Sequence, residues 1–361
     1  MKGKDKDILF MEKALALAAK GEGFTSPNPM VGALIVKNGK VISRGYHKKA
    51  GSAHAEREAI EKAGVSLKGA TIYITLEPCC HFGRTPPCVD EIINKKFARV
   101  VIATEDPNVM VSGKSVAKLK KAGIEVKVGV CRQKSVRLNE IFFKNQKQNL
   151  PFVAVKIAQT LDGKIASCRG VSKWITSEIA RDYAKKLRDK YDCVLIGANT
   201  LRMDDPSLNG RKKTPFKAII SGSCGLLPAN RLFSDSSRNI VITSRGRELK
   251  GPDFPAQIIK IKAKNNIIPP RAILKEIYKL GIMSVFVEGG ATTNGYFFRA
   301  GLVDKVYCFI APKILGGKKA LSSVGGEGFD TPGRCPVLED VTIDRVGPDI
   351  LVRGYPVRKR G

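Results

Sequence analysis

The segment Pro78–Cys88, which reads PCCHFGRTPPC, carries the most specific signal in the chain together with the earlier triplet His54-Ala55-Glu56. One imidazole and two thiolates can occupy three positions around a tetrahedral zinc ion and leave the fourth for water, as in a catalytic site. Zinc lowers the pKa of such a water toward neutrality, which makes hydroxide available as a nucleophile. The sequence therefore predicts one catalytic zinc ion with three protein ligands, His54, Cys79 and Cys88.

Glu56 is the catalytic residue that the same pattern predicts. It follows the histidine by two residues, is not a ligand, and can take a proton from the water and deliver it to the departing ammonia. A histidine–glutamate pair of this spacing, combined with a Pro-Cys pair, is typical of zinc deaminases that act on bases. The thiolates precede a predicted helix near Val89, whose N-terminus favours negative charge.

A structural zinc site is the alternative interpretation. Such a site needs four protein ligands, and the candidates for the fourth are Cys80 and His81. Adjacent cysteines rarely reach one ion comfortably, and Glu56 would then have no purpose. The sequence favours the catalytic arrangement.

The composition limits the class of protein. The chain has 361 residues, enough for about two domains, and a formal charge of +30 from 63 Lys+Arg against 33 Asp+Glu. That charge suits nucleic acid, a membrane surface or phosphorylated small molecules, but it is also what a solvated lysine-rich surface gives. The lysines are spread along the chain, with no long basic block, so the charge does not choose between these possibilities.

The cellular compartment is also suggested by the sequence. Nine cysteines, an odd number, lie outside any small disulfide-dense module, which indicates reduced thiols. The first twenty or so residues lack the apolar block of a signal peptide, and no apolar run approaches the ~18 residues of a membrane span. We expect a cytoplasmic protein.

Helical and strand patterns alternate along both halves of the chain. In the first half, the Asn38-Gly39 pair predicts a hairpin turn, and a polar helix is predicted over Gln133–Gln148. The segment Asn149-Leu150-Pro151 then interrupts the pattern. Strands alternating with helices predict two α/β domains, over residues 1–148 and 149–361, the first around a largely parallel sheet.

The second half contains one glycine pair of interest, in Glu288-Gly289-Gly290-Ala291-Thr292. It lies between a predicted strand and a predicted helix, where glycines let backbone N–H groups approach phosphate oxygens. The Gly-x-Gly-x-x-Gly pattern of a standard dinucleotide-binding domain is missing. On its own the glycine pair is equally typical of a tight strand–helix turn.

The first half resembles the deaminase domain of the bifunctional riboflavin-biosynthesis deaminase/reductase family. The resemblance rests on GRTPPC at residues 83–88 and on four further stretches: Ser26-Pro27-Asn28-Pro29, Val31-Gly32, Gly45-Tyr46-His47 and Asp106-Pro107-Asn108. Eight residues separate Cys79 from Cys88, whereas nucleic-acid adenosine deaminases typically have two between these cysteines. One departure is Cys80, where the family usually has serine.

The resemblance implies a substrate pocket around the zinc. Asn28 and His47 would contact the heterocycle or the ribose, Arg84 the phosphate, and Asp106 and Asn108 the ring. Without the family, both asparagines would be read as turn residues beside prolines, and His47 as a capping or surface histidine.

The second half resembles the reductase domain of the same family, which has the dihydrofolate reductase-like fold and uses NADPH. The matching stretches are Leu161–Ala166, Ser172–Thr176, Asp204–Leu208, Val287–Gly290 and Ala311–Gly317. The resemblance implies five contacts to the ribosyl-phosphate substrate: Ser172, Arg188, Leu208, Arg211 and Glu288. It implies cofactor contacts from Ala158, Trp174, Asn199, Thr200, Asp204, Gly222, Ser244, Arg245, Gly290, Ala291, Thr292, Thr293, Asn294, Gly295 and Tyr296. Without the family, Trp174 would equally be a core residue and Arg188 a solvated charge.

The fold expected is therefore α/β throughout, a cytidine deaminase-like three-layer domain followed by a dihydrofolate reductase-like domain. The function implied is zinc-dependent deamination of 2,5-diamino-6-ribosylamino-4(3H)-pyrimidinone 5′-phosphate, then NADPH-dependent reduction of the ribosyl group to ribityl. Its partners would be phosphorylated small molecules and a second copy of the chain in a homo-oligomer, with neither nucleic acid nor membrane.

Two other functions remain open from the sequence. A tRNA or single-stranded nucleic-acid base deaminase with an accessory domain would share the zinc ligands and use the positive charge. A non-catalytic zinc-binding or RNA-binding protein would keep zinc and tolerate loss of Glu56.

Overall fold

The fold comes from a computed structural model that describes residues 3–82, 86–222, 226, 229–234, 238–245, 254–263 and 267–357. The chain divides into two compact units, Met1–Asn149 and Leu150–Gly361. Within the described ranges, no helix is both long enough and apolar enough to cross a membrane.

The N-terminal unit is a five-stranded sheet with helices on both faces. Its strand order is β2-β1-β3-β4-β5; β1 is antiparallel to both neighbours, whereas β3, β4 and β5 are parallel. In chain order the elements are α1 Gly3–Ala18, β1 Gly32–Lys37, β2 Lys40–Tyr46, α2 Ala55–Glu61, β3 Thr71–Ile74, α3 Cys88–Asn94, β4 Arg99–Ile102, α4 Lys114–Lys121, β5 Glu125–Val128, α5 Arg132–Leu138 and α6 Glu140–Gln148.

The antiparallel hairpin β1–β2 explains why the sheet is mixed and not largely parallel as expected. Its turn is Asn38-Gly39, with φ of 50° and 72°, the left-handed conformation that this residue pair adopts readily. The predicted hairpin is confirmed. β1 then pairs on its other edge with β3, also antiparallel, and β3, β4 and β5 follow as parallel strands.

Alternating side chains of the central strands form two apolar layers. Ala33 and Ile35 of β1 pack with residues of α2, α3 and α4, whereas Leu34 and Val36 pack with residues of α1. The helix α1 lies directly on β1, because a Cβ atom at Gly32 would come within 2.1 Å of the Ala14 carbonyl oxygen. The unit therefore has the three layers expected.

The polar helix predicted over Gln133–Gln148 is in fact two helices, α5 and α6. Asn139 separates them with φ of −103° and ψ of 26°. Its side-chain amide accepts a hydrogen bond from the Met30 N–H (2.8 Å) and donates one to the Met30 carbonyl (2.9 Å). Asn139, at the break between the two helices, thus holds the backbone of Met30, the residue just after the Pro27–Pro29 turn.

The C-terminal unit is built on a nine-stranded sheet of order β11-β10-β9-β8-β12-β6-β13-β16-β15. The first seven strands in this order are parallel, and β16 and β15 add an antiparallel edge. The elements are β6 Phe152–Thr160, β7 Lys164–Ala166, α7 Glu178–Arg188, β8 Cys193–Gly197, α8 Ala198–Asp204, β9 Phe216–Ser221, β10 Asn239–Ser244, β11 Gln257–Ile261, α9 Pro270–Lys279, β12 Ser284–Val287, α10 Ala291–Arg299, β13 Lys305–Ala311, β14 Leu321–Ser322, β15 Val337–Val346 and β16 Asp349–Val357.

The carboxyl ends of the neighbouring strands β10, β9, β8 and β12 meet at one edge of this sheet. The residues that follow these ends are, in the same order, Arg245, Gly222, Ala198 and Glu288. In parallel α/β sheets, ligands bind outside this edge. The topology therefore places most of the predicted cofactor residues along one side of the unit.

Candidate active sites

Three potential zinc ligands converge in the N-terminal unit. His54 is the residue before α2, Cys79 follows β3, and Cys88 begins α3. The His54 Nδ1 lies 3.3 Å from the Cys88 Sγ and 3.6 Å from the Cys79 Sγ, and all three ligand atoms lie within 4.8 Å of one another. Zinc bonds of about 2.0–2.3 Å place tetrahedral ligand atoms about 3.3–3.8 Å apart, so this donor set fits zinc.

The environment of the cluster favours negative charge on sulfur. The pKa of Cys79 is lowered to about 4, first because the Cys88 thiol donates a hydrogen bond to its sulfur, with further help from His54 and the Cys88 N–H. The same hydrogen bond to Cys79 raises the pKa of His54. A metal cation bound by Cys79, Cys88 and His54 would neutralise the negative charge on sulfur in place of the protons that these side chains share in their hydrogen bonds.

Glu56 lies in the first turn of α2 and is 3% exposed. It lines the same cavity as His54 and Cys79 but is not part of the metal-ligand cluster found among the described residues. Burial raises the pKa of its carboxyl to about 7. A carboxyl group with a pKa near neutrality is suited to both taking up and releasing a proton at physiological pH.

The cavity beside the cluster has a volume of about 560 Å3. Four residues expected to bind the substrate line it: Asn28, His47, Asp106 and Asn108. Burial raises the pKa of Asp106 to about 6. The fifth, Arg84, lies outside the described residues, as do its neighbours Gly83 and Thr85.

Asn28 and His47 are joined in a way that fixes their orientation. The His47 Nδ1 lies 3.1 Å from the Ala53 carbonyl, which can only accept, so this nitrogen carries the proton. Its Nε2 then accepts a hydrogen bond of 3.1 Å from the Asn28 side-chain nitrogen. The amide oxygen of Asn28 is thereby left as the group suited to a hydrogen-bond donor on a ligand.

Phe142 lines this cavity and was not expected from the sequence. It belongs to α6, and it is the only Phe, Tyr or Trp among the described lining residues. The polar composition of α6 gave no signal for it, since its position depends on the break at Asn139.

Cys80 points away from the cluster. Its Sγ lies 3.7 Å from the Met110 carbonyl, and it is not among the three potential ligands. We predict that Cys80→Ser binds one zinc per chain, measured by atomic absorption on purified protein, because a hydroxyl can replace the thiol in this contact. Cys88→Ser is the matched comparison and should lose metal. Zinc loss from the first variant, with full zinc in the second, would overturn the ligand set.

A second cavity, of about 440 Å3, lies in the C-terminal unit. Ten of the residues expected from the resemblance line it: Ala158, Ser172, Trp174, Arg188, Thr200, Asp204, Leu208, Glu288, Gly290 and Asn294. Four cationic residues that were not predicted as site residues also line it: Lys156, Lys173, Arg181 and Arg231.

A buried ion pair between Arg188 and Glu288 lies in this cavity. The guanidinium and the carboxylate meet through two hydrogen bonds, one of them 3.1 Å from Nη2 to Oε2. Lys156 Nζ lies 3.9 Å from the same carboxylate. Burial opposes ionisation of Glu288, but Arg188 and Lys156 outweigh it and lower the pKa of this carboxyl. The solvated-charge interpretation of Arg188 is therefore wrong.

Trp174 does not pack in the core, which was the alternative considered for it. Its side chain is 63% exposed, and the guanidinium carbon of Arg181 lies 4.1 Å from its ring centroid. Both residues line the cavity, so a cationic and aromatic pair borders this site.

The remaining expected residues lie outside the lining of this cavity. Asn199 is in α8, Gly222 follows β9, Ser244 ends β10 with Arg245 next to it, and the others lie in α10: Ala291, Thr292, Thr293, Gly295 and Tyr296. Gly295 serves packing, because a Cβ atom there would come within 1.8 Å of the Gly325 carbonyl oxygen. The structure does not bring Arg211 to the cavity; its Nε lies 3.1 Å from the carboxylate of Asp182.

Comparison with known proteins identifies both units. Residues 4–104 match the family model of the cytidine and deoxycytidylate deaminase zinc-binding region, and residues 151–352 match that of the RibD C-terminal domain. The riboflavin biosynthesis protein RibD of Aquifex aeolicus is 45% identical over 97% of this chain and 98% of its own length. The Escherichia coli protein of the same name is 34% identical, over 96% and 98%.

Solved structures agree with these matches. The Thermotoga maritima diaminohydroxyphosphoribosylaminopyrimidine deaminase/5-amino-6-(5-phosphoribosylamino)uracil reductase is 38% identical, with a TM-score of 0.88 over 98% of this chain and 99% of that one. Acinetobacter baumannii RibD is 33% identical, with a TM-score of 0.89 over 98% and 100%. The α/β fold class expected from the sequence is confirmed. The chain therefore belongs to the RibD family, the bifunctional deaminase/reductase enzymes of riboflavin biosynthesis.

Proposed function

We propose that the N-terminal unit deaminates 2,5-diamino-6-ribosylamino-4(3H)-pyrimidinone 5′-phosphate and that the C-terminal unit reduces the ribosyl group of the product to ribityl with NADPH. The observation that carries the proposal is the cluster of His54, Cys79 and Cys88 beside the buried Glu56, at a cavity large enough for a pyrimidine. The second, cation-rich cavity in the same chain supports the coupled reduction.

In the deaminase unit, His54, Cys79 and Cys88 hold zinc, which supplies the acidity that lowers the pKa of water toward neutrality. Glu56 accepts the proton of the attacking water and transfers it to the departing amino nitrogen, so that ammonia leaves and an oxo group remains. Asn28, through its amide oxygen, accepts a hydrogen bond from the substrate, and His47 holds that amide in place.

Asp106 and Asn108, which line the same cavity, bind the ring by hydrogen bonds. From the resemblance, Arg84 binds the phosphate. Phe142 offers an aromatic face for the pyrimidine, and such stacking contributes about 1–3 kcal/mol per base in nucleic-acid complexes.

The residues of the C-terminal unit fit a nicotinamide dinucleotide phosphate. A Cβ atom at Gly290 would meet only the Thr200 hydroxyl, at 3.7 Å, so the backbone at the start of α10 can be approached closely. That helix start offers N–H groups to phosphate oxygens. The Oδ1 of the buried Asn294 has no hydrogen-bond partner among the described residues and suits a donor of the cofactor. NADPH bound there supplies the hydride.

The substrate of the reductase lies, in this proposal, between Ser172, Arg188, Leu208 and Glu288. The Ser172 hydroxyl donates to the Asp204 carboxylate at 2.9 Å, which orients both groups at the cavity wall. The family resemblance adds Arg211 as a further contact to the ribosyl-phosphate substrate. Its side chain would have to leave the carboxylate of Asp182 for that role.

The proposal also covers location and assembly. Eight cysteines among the described residues are free thiols, which supports a reducing, cytoplasmic compartment. A homo-oligomer, and no nucleic-acid or membrane partner, remain predictions from the sequence, and sedimentation of the purified protein tests the first of them.

The test is ammonia release from a panel of substrates by zinc-loaded protein. The diaminopyrimidine ribotide should release ammonia, whereas cytidine, dCMP, adenosine-containing tRNA and single-stranded DNA should not. Activity on the nucleic acids but not on the ribotide would favour the nucleic-acid deaminase considered from the sequence. Ammonia from none of them would contradict the proposed deaminase.

Arg245 should select NADPH over NADH. It directly follows β10 at the carboxyl edge and is exposed, so its planar guanidinium can bind the 2′-phosphate, supported by Ser244. A charged hydrogen bond contributes about 1.5–3 kcal/mol, so Arg245→Ala should weaken NADPH about ten- to a hundredfold and leave NADH almost unchanged. Quenching of Trp174, the only tryptophan, measures both affinities.

Arg238→Ala is the matched control for this substitution, because Arg238 precedes the same strand and lies at its opposite end. It should leave both affinities unchanged. Equal losses for NADPH and NADH in Arg245→Ala, or no loss for either, would mean that another residue recognises the 2′-phosphate.

A further inference from the structure

Glu77 is a buried carboxylate beside the zinc ligands that has no part in the chemistry proposed above. It follows β3, is 3% exposed, and precedes Cys79 by two residues. Its side chain lines the deaminase cavity, so its position alone would allow a role as a second proton carrier.

Its hydrogen bonds indicate a different role. Oε2 accepts the N–H groups of Asp106 (3.3 Å) and Gly113 (2.9 Å), and Oε1 accepts those of Ser115 (3.1 Å) and Val116 (3.3 Å). Both oxygens are therefore committed to backbone groups.

These four donors lie on the two sides of one loop, with Asp106 at its start and Gly113, Ser115 and Val116 at its end. Gly113, Ser115 and Val116 are at the start of α4, where N–H groups lack partners within the helix and the helix dipole favours an anion. One carboxylate thus closes the loop that carries Asp106 and Asn108 into the cavity.

Two of the three valine and methionine side chains of the loop do not hold it by packing, because Val109 is 81% exposed and Met110 is 59% exposed. Only Val111 is buried, at 2% exposure. The loop's attachment to the metal side of the cavity is reinforced by the Ser115 hydroxyl, which donates to the Pro78 carbonyl, next to Cys79.

We propose that Glu77 is a positioning residue for substrate binding, which holds Asp106 and Asn108 at a fixed distance from the zinc ligand Cys79 and carries no proton in the reaction. This inference rests on the proposed deaminase function. It predicts that Glu77 affects the Michaelis complex more than the chemical step, because Asp106 and Asn108 bind the ring alike in the ground state and the transition state.

Glu77→Gln in the full-length, zinc-loaded protein tests the proposal. Each carboxylate oxygen accepts two N–H groups, so glutamine can satisfy only one pair, and its amide nitrogen would face the donors of the other pair. The KM for ammonia release from the diaminopyrimidine ribotide should rise about ten- to a hundredfold, with kcat changed only a few-fold.

Two further variants separate loss of the loop attachment from a general effect of substitution in this region. Glu105→Gln, at an exposed position next to Asp106, is the matched control and should leave KM unchanged. Ser115→Ala removes only the hydrogen bond to Pro78 and should raise KM in the same direction by a smaller factor. Zinc per chain, and reductase activity on deaminated substrate, should equal those of the unaltered protein in all three variants.

Three results would overturn the proposal. An unchanged KM in Glu77→Gln or Ser115→Ala would show that the loop does not need this attachment. A fall in kcat at unchanged KM would make Glu77 a proton carrier. Loss of zinc would make it a support of the metal site instead of the loop. No ammonia from the unaltered protein would instead count against the proposed function itself.

Discussion

Glu56→Gln should lower the rate of ammonia release by about 10²–10⁴-fold, the usual contribution of general acid–base catalysis. Glutamine keeps the size of the side chain but cannot accept a proton from the attacking water or return it to the leaving nitrogen. Because Glu56 is not among the ligand atoms of the cluster, zinc content should stay at one ion per chain. Ammonia release at saturating ribotide, with metal analysis of the same sample, measures both quantities.

The control for this substitution is Glu61→Gln, because Glu61 ends the same helix α2 and is exposed. It should retain full deaminase activity. Reductase activity on deaminated substrate should be normal in both variants, since that cavity belongs to the C-terminal unit. Ammonia release by Glu56→Gln at a rate close to that of the unaltered protein would remove Glu56 from the mechanism.

Arg188→Met should have the largest effect on the C-terminal unit. Methionine removes the charge but retains much of the side-chain volume, so Glu288 is left buried with only Lys156, at 3.9 Å, to neutralise it. Breaking a buried ion pair in this way costs about 3–5 kcal/mol of folding free energy. Since both residues line the cavity, reductase activity should fall as well, whereas ammonia release should not.

Fluorescence anisotropy of Trp174 during urea unfolding measures this loss, because the only tryptophan lies in the C-terminal unit and reports on that unit alone. Lys186→Met, on the same helix but at an exposed pair with Asp182, should cost at most about 1 kcal/mol. Combining Arg188→Met with Glu288→Gln should recover stability without recovering activity. If the free energy of unfolding of Arg188→Met equals that of Lys186→Met, the carboxylate of Glu288 does not depend on Arg188 for its neutralisation.

Local signals predicted much of the fold. The Asn38-Gly39 turn lies where the sequence indicated, because turn chemistry acts over a few residues. The break between α5 and α6 could not be predicted, because it depends on the pairing of Asn139 with Met30, which is 109 positions away. The edge strand β11 and the seven-residue helix α8 were also missed, since neither has a strong periodic pattern.

The site residues, too, divide into those set by local sequence signals and those set by contacts between residues distant in sequence. The zinc ligands and Glu56 could be predicted because metal chemistry restricts the residue types and their spacing. Phe142, Glu77 and Lys156 could not, because what places each of them is the packing of elements distant in sequence. From the sequence, Arg188 could be either a substrate contact or a solvated charge. The structure shows that its guanidinium forms an ion pair with Glu288.

The most direct test of two consecutive reactions in one chain is mass spectrometry of the diaminopyrimidine ribotide incubated with the zinc-loaded protein, first without NADPH and then with NADPH deuterated at the transferred position. The account predicts that an amino group is replaced by oxygen in the absence of the cofactor. When the cofactor is added, that product should gain two hydrogens, one of them deuterium, bound to carbon in the ribityl chain. No replacement of an amino group by oxygen without NADPH, or deuterium in a product that keeps both amino groups of the pyrimidine, would contradict the assignment of deamination and reduction to the two units in that order.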